Sequence, residues 1–337
     1  MSILAGTTRG LFRVSSGNHE QLLDARGVRE LVRIGDRIFA GTSNGLYVSS
    51  DEGSSWRPCG LEGLTIWQIR GAAGGQVLYA AVEPTGLWRT DDGGHHWIEL
   101  DAVNRVPGAA KWCVPVQPPM AARARALVVD VQNPDRLWAG VEVGGIIHSS
   151  DGGRSFEHVL PGGNPDIHML FADPSRPDVL YVSTGYGRLD GVAPMVEGNA
   201  GVFRSDDGGH HWTYAWNGVT PRYSRPMCID TRGDCPLTVA CAPTAFSSVK
   251  DPGGAQAMLL QSVDHGHSWR SLGDPAHSPS PANFHGLAVH PAAAGDVLTG
   301  TDSGEVWHVT SKREWTRLAD GLPTVLAVLA AQISSGR

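Results

Sequence analysis

Five stretches of the chain carry one eight-residue pattern: residues 49–56 (SSDEGSSW), 90–97 (TDDGGHHW), 149–156 (SSDGGRSF), 205–212 (SDDGGHHW) and 262–269 (SVDHGHSW). In each, a Ser or Thr is followed by Asp two positions on, Gly four on and an aromatic seven on. Such a repeat fixes the architecture before any single segment is read, because each unit must bury its apolar face against its neighbours. The pattern suits a hairpin turn. The Asp carboxylate accepts backbone N–H groups of the turn. Glycine supplies the positive φ where the chain reverses. The aromatic restarts the next strand and packs between adjacent hairpins. These Asp residues are therefore read as structural, not catalytic.

A short strand opened by a small residue recurs seven times, from Gly10, Gly45, Gly86, Gly145, Gly201, Ala257 and Gly304. The 337 residues then divide into units of about 48, the size of a four-stranded blade. The predicted fold is all-β: a seven-bladed β-propeller of four-stranded antiparallel blades, forming a single domain. The 43 glycines and 22 prolines agree with many short strands joined by turns. The first unit begins at its second strand (SILAGTT, residues 2–8). The late segment TVLAVLAA (residues 324–331) is expected to fill that vacancy as the innermost strand of the first blade, closing the ring.

The motif resembles the Asp-box, or BNR, repeat of sialidase-like and sortilin-like propellers. Sialidases with this repeat present an arginine triad to a substrate carboxylate, and Arg29, Arg125 and Arg225 match that triad in type. The chain departs from a typical sialidase in two ways. Their FRIP-like signature has only LFRVSS at Leu11 for a counterpart, and they have six blades. Seven-bladed propellers with this repeat include xyloglucanase halves and photosystem assembly factors. The former pair two propellers around a cleft with paired Asp residues, for which this sequence shows no equivalent.

Loop length points to one face. Connections beside the repeat turns are short. The long insertions, residues 100–124, 185–200, 217–224, 242–254 and 273–283, all fall on the opposite face, where a binding or catalytic site is expected. Alignment of the inner strands puts Arg29, Thr65, Arg125, His168, Arg225 and His285 at one equivalent position at the channel mouth. Neighbouring loops add Glu83, Glu142, Tyr186, Arg188 and Asp302, with Lys111 and Trp112 in the longest insertion.

Guanidinium groups clamp carboxylate, sulfate or phosphate. Arg29, Arg125, Arg225, Lys111, Trp112 and Arg188 are therefore read as substrate-binding, and His168, His285, Glu83, Glu142 and Tyr186 as catalytic. The expected function is a small-molecule or carbohydrate-processing enzyme, hydrolase or lyase, acting on an anionic substrate. The alternative is a non-catalytic scaffold docking a protein or peptide through Trp112, Tyr223 and Phe246. No cofactor is expected, though His168 and His285 with Glu83 or Glu142 also suit a divalent metal.

A formal charge of −7 argues against nucleic acid as a partner. No stretch reaches the roughly 18 apolar residues of a membrane span, and the first residues show no secretory pattern, so a cytoplasmic location is expected. Cys59, Cys113, Cys228, Cys235 and Cys241 have neither the spacing nor the even count of a disulfide framework or a structural zinc site.

Overall fold

The computed structural model describes residues 2–15, 17–72, 74–186, 195–244 and 252–331. Seven four-stranded antiparallel sheets form the blades of a propeller. Six are built from consecutive strands. The first combines Ser2–Thr7, Arg9–Ser15 and Asn18–Arg26 with the C-terminal strand Val325–Ala331, which pairs along Ser2–Thr7 as the innermost strand. The expected closure of the ring is thus observed.

Within each blade the two middle strands lie between neighbouring blades and are covered on both faces. They consequently read as unbroken apolar or small runs, such as Leu137–Val141, in which every residue is buried. Several outermost strands are the opposite: Arg57–Pro58, Ile98–Glu99 and Arg270–Ser271 have two residues each, and short edges discourage pairing with other chains, whereas Asn18–Arg26 of the first blade has nine. The core is accordingly not one mass. It consists of seven apolar clusters, each spanning the interface of two adjacent blades around the ring.

The eight-residue motifs form the turns between third and fourth strands. In the second blade, Ser49 Oγ donates to Asp51 Oδ1 (2.8 Å) and accepts the Gly53 N–H (2.9 Å), while Asp51 Oδ1 accepts the Ser55 N–H (2.8 Å). The other four copies repeat the Ser/Thr–Asp and Ser/Thr–Gly bonds. The glycine four positions on has φ +79° in Gly53 and +100° in Gly94, as the reversal demands. The aromatics stitch blades together: Trp97 Nε1 donates to the Cys59 carbonyl (2.9 Å) and Trp269 Nε1 to that of Ala215 (2.7 Å). Every one of these turns lies at the end of the ring remote from the inner strands' first residues. The five cysteines are free thiols.

Candidate functional site

Six inner strands share one irregularity near their channel mouth. The pairing register slips so that Trp67, Arg125, His168, Arg225 with Pro226, His285 and Leu326 stand outside the ladder in their blades. A bulge frees a residue from strand alternation and re-aims its side chain. Here these bulged residues line one cavity of about 270 Å³, joined by Arg29 and Glu30 of the second blade. All seven inner strands contribute to its wall, so the cavity is the mouth of the central channel. The sequence alignment found this position in five blades. In the third it chose Thr65, two residues early; Trp67 is the structural equivalent.

The indole of Trp67 organises the cavity's charge. The guanidinium carbons of Arg29, Arg123 and Arg125 stand 4.7, 4.8 and 5.3 Å from its ring. Its Nε1 donates to Glu83 Oε2 at 2.9 Å. Glu142 takes up two of the three cations: Oε2 accepts from Arg123 Nε (2.5 Å) and Arg125 Nη1 (2.9 Å), and Oε1 from Arg123 Nη2 (3.0 Å). Burial pushes the Glu142 carboxyl up, but Arg125 and Arg123 outweigh it and hold the group well below the usual carboxylate range. Arg29 makes no ion pair among the described residues, and its buried Nε has no hydrogen-bond partner. Burial, then repulsion from Arg123, lowers its pKa.

On the opposite wall, Arg225 donates through Nε and Nη2 to the Tyr223 hydroxyl (3.3 and 3.2 Å), and its Nη1 lies 3.4 Å from His285 Nδ1. His285 is pulled down to about 3, by burial first and then by Arg225, Arg125 and Arg29. His168 is enclosed, with Tyr223 edge-on at 4.8 Å and Asp166 Oδ1 at 3.3 Å. Deeper in the channel Glu30 pairs with Arg70. There Gln68 ties three blades together: it accepts the Leu127 N–H (2.7 Å) and donates to Met169 Sδ (2.9 Å).

The structure therefore brings Arg29, Arg125, Arg225, His168, His285 and Glu142 to one cavity. Glu83 stands behind Trp67, 3.8 Å from Arg123, and does not line the wall. Lys111, Trp112 and Tyr186 belong to a second, more open cavity of about 550 Å³ on the rim. The turn at residues 142–144 divides the two, with Glu142 facing the channel and Val143 and Gly144 facing the rim. Asp302 is occupied in holding its loop, accepting the Asn283 N–H at 3.0 Å. Arg188 and Phe246 lie outside the described residues.

Sequence reasoning missed Trp67, Arg123, Gln68, Glu30 and Asp166. One pattern accommodates Trp67 without singling it out, since half-buried Trp67 itself stands two residues after Thr65. Each channel-facing residue precedes by two a buried or half-buried apolar residue: Leu31 after Arg29, Ile69 after Trp67, Leu127 after Arg125, Leu170 after His168, Leu287 after His285.

No protein-family model matches the chain. A xyloglucanase from Paenibacillus sp. is 27% identical over 245 residues, covering 59% of this chain and 22% of that protein. The chain thus spans about a fifth of the length of that curated relative. Among solved structures, an ancestral GH74 enzyme superposes with TM-score 0.63 at 13% identity, over 95% of this chain and 40% of that one. The GH74 xyloglucanase from Xanthomonas campestris gives 0.60 at 16%, over 90% and 46%. YCF48 bound to D1 peptide gives 0.54 at 15%, over 87% and 82%. The chain is a seven-bladed β-propeller similar in fold to those of GH74 xyloglucanases and YCF48.

Proposed function

We propose that the protein is a carbohydrate-processing enzyme, hydrolase or lyase in type, that takes an acidic sugar into the channel mouth by its carboxylate. The observation that carries this reading is the unneutralised Arg29 guanidinium, held over Trp67 beside Arg125 and across from Arg225. A half-buried cation that makes no ion pair among the described residues is costly, and a substrate carboxylate supplies a direct partner. The distant likeness to a xyloglucanase supports the carbohydrate part of the reading.

Glu142 stays ionised between two arginines, so its part is to orient them and not to give up a proton. His285 is the proton-transfer group. Its basicity is suppressed by burial first and then by the surrounding arginines, and an anionic substrate offsets the arginines' part. The substrate thereby raises the pKa of its own base towards neutrality, where proton transfer is effective.

The test is turnover of a panel of uronate-containing oligosaccharides beside their neutral counterparts. Only the acidic set should react, and His285→Gln should abolish turnover while retaining binding and melting temperature. Equal turnover of neutral glucans would overturn the reading.

A second reading is favoured by the rim cavity adjoining the channel mouth, with Trp112 and Tyr186 in its wall. A peptide could lie there with its terminal carboxylate on the arginines. Binding of such peptides without turnover of any sugar would support it.

A further inference from the structure

The channel mouth is closed on its inner side. Its wall comes from all seven inner strands. Its floor is Gln68, bonded to Leu127 and Met169, with the Glu30–Arg70 pair beside it. Beyond that floor a separate cavity begins, with Arg70 and Leu127 in its wall. At about 270 Å³ the mouth lies below the ~300–1,000 Å³ that holds a drug-sized ligand, which leaves room for one sugar ring. An acidic unit inside a longer chain needs the chain to leave on both sides, and the wall and floor bar that. A terminal unit needs a single exit.

Towards the rim cavity the wall of the mouth is one residue thick. Glu142 faces the channel and Val143 the rim. Pro165 lines the rim, and Asp166 beside it lies against His168. Tyr186 lines the rim, while a Cβ on Gly185 would stand 2.8 Å from His168 Cε1. Gly144 lets the indole of Trp112 close on the same turn, since a Cβ there would meet Trp112 Cδ2 at 3.0 Å. The turn is held in place. Val143, though β-branched, has φ +57°, a strain that persists only where the surroundings fix it. His158 Nε2 donates to the Gly144 carbonyl at 2.7 Å.

The rim cavity, about 550 Å³, falls well inside the size range of a ligand pocket. Trp112, Tyr186, Pro165 and Leu160 give it broad apolar faces, and Lys111 and His158 add polar groups. With Nε2 donating, Nδ1 of the neutral His158 ring is an acceptor. A pyranose fits such a surface, its C–H face on the rings and its hydroxyls on the polar groups.

We propose that the rim cavity is the subsite for the units that follow the acidic one, so that the protein takes an oligosaccharide end-on, with its acidic terminal unit on the arginines and its next units on Trp112 and Tyr186. This placement rests on the acidic-sugar reading of the channel mouth, and adds which part of the chain enters and where the rest lies.

Calorimetry on the native chain and on His285→Gln, in which turnover does not consume the ligand, tests the placement. The ligands are galacturonate, its linear dimer and trimer, and a trisaccharide carrying its uronate between two neutral sugars. Affinity should rise about tenfold from monomer to trimer, and the internal uronate should bind no better than a neutral trisaccharide. Trp112→Ala should remove the gain with length and leave the affinity for the monomer unchanged. Trp112 also packs against an apolar core cluster, so Tyr186→Ala gives the same readout should that variant not fold. Equal affinity for monomer and trimer, an internal uronate bound as tightly as a terminal one, or a length gain intact in both variants overturns the placement and leaves the acidic-sugar reading standing. Binding of none of the acidic sugars overturns both. A peptide with a free terminal carboxylate that displaces the trimer and depends on Trp112 overturns the placement in favour of a peptide on the rim.

Discussion

Arg29 shows at the residue scale how stability and function diverge in this cavity. Its guanidinium is half-buried, lacks an ion pair among the described residues, and sits within reach of two other arginines. Folding gains little from it. Arg29→Met should keep the melting temperature or raise it, and should weaken binding of an acidic ligand by about tenfold, or about 1.4 kcal/mol. Calorimetry and thermal denaturation on one sample read both. His285 gives a prediction in pH. Its folded pKa, about 3, lies below the unfolded value of 6.5. Between those values the unfolded chain binds more protons, so the stability His285 contributes is complete above pH 6.5 and is lost as pH falls towards 3. His285→Gln should flatten stability across that window, by up to about 1.4 kcal/mol per pH unit. An unchanged pH slope would show that the imidazole is not held neutral. Most of this ring of residues was legible because it recurs at one strand position. Trp67 was not, because an aromatic in a strand reads as packing, and Asp166 was not, because it precedes its strand and lies in no motif.

At the scale of the element, the repeat turn and the bulge divide the work of each blade. The turn is legible from sequence because its bonds are local: Asp264 accepts from Ser268, and Ser262 from Gly266, all within one motif. The bulge is not legible, because it exists only in the register between two strands. Its position can be aligned, but the reason the side chain faces the channel cannot. The turns predict acid sensitivity of a different kind from His285. The hydrogen bonds of Ser55 hold Asp51 down at about 2, and those of Ser268 and Ser262 hold Asp264 at about 2 against burial. Carboxylates depressed on folding stabilise above the unfolded pKa near 4, and that contribution is lost as pH falls to 2. Asp264→Ala should therefore lower the melting temperature at pH 7 by roughly 2 °C, a loss on the order of 1 kcal/mol. It should leave ligand binding at the far end of the channel unchanged. A larger effect on binding than on melting would contradict the structural assignment of these turns.

At the scale of the whole molecule, the ring is closed by one strand taken from the other end of the chain. Val325–Ala331 pairs with Ser2–Thr7 over six residue pairs. Its side chains enter both flanking interfaces: Val325 and Val328 join the cluster between the seventh and first blades, and Ala327 and Ala331 that between the first and second. It also brings Leu326 to the cavity wall. Because the core is a cycle of seven blade interfaces, removing this strand damages two neighbouring interfaces at once and exposes a long unpaired inner edge. A chain ending at residue 323 should lose the single cooperative unfolding transition of the full sequence. It should also elute as oligomers, as exposed Ser2–Thr7 edges pair between molecules. A peptide of residues 322–333 added in excess should restore both the monomer and the sharp transition, since it supplies the same ladder without the covalent link. Circular dichroism melts and size-exclusion chromatography on the truncated chain, with and without the peptide, decide the point. A truncated chain that stays monomeric and melts like its parent would mean that the interfaces between blades, and not the shared first blade, hold the ring shut.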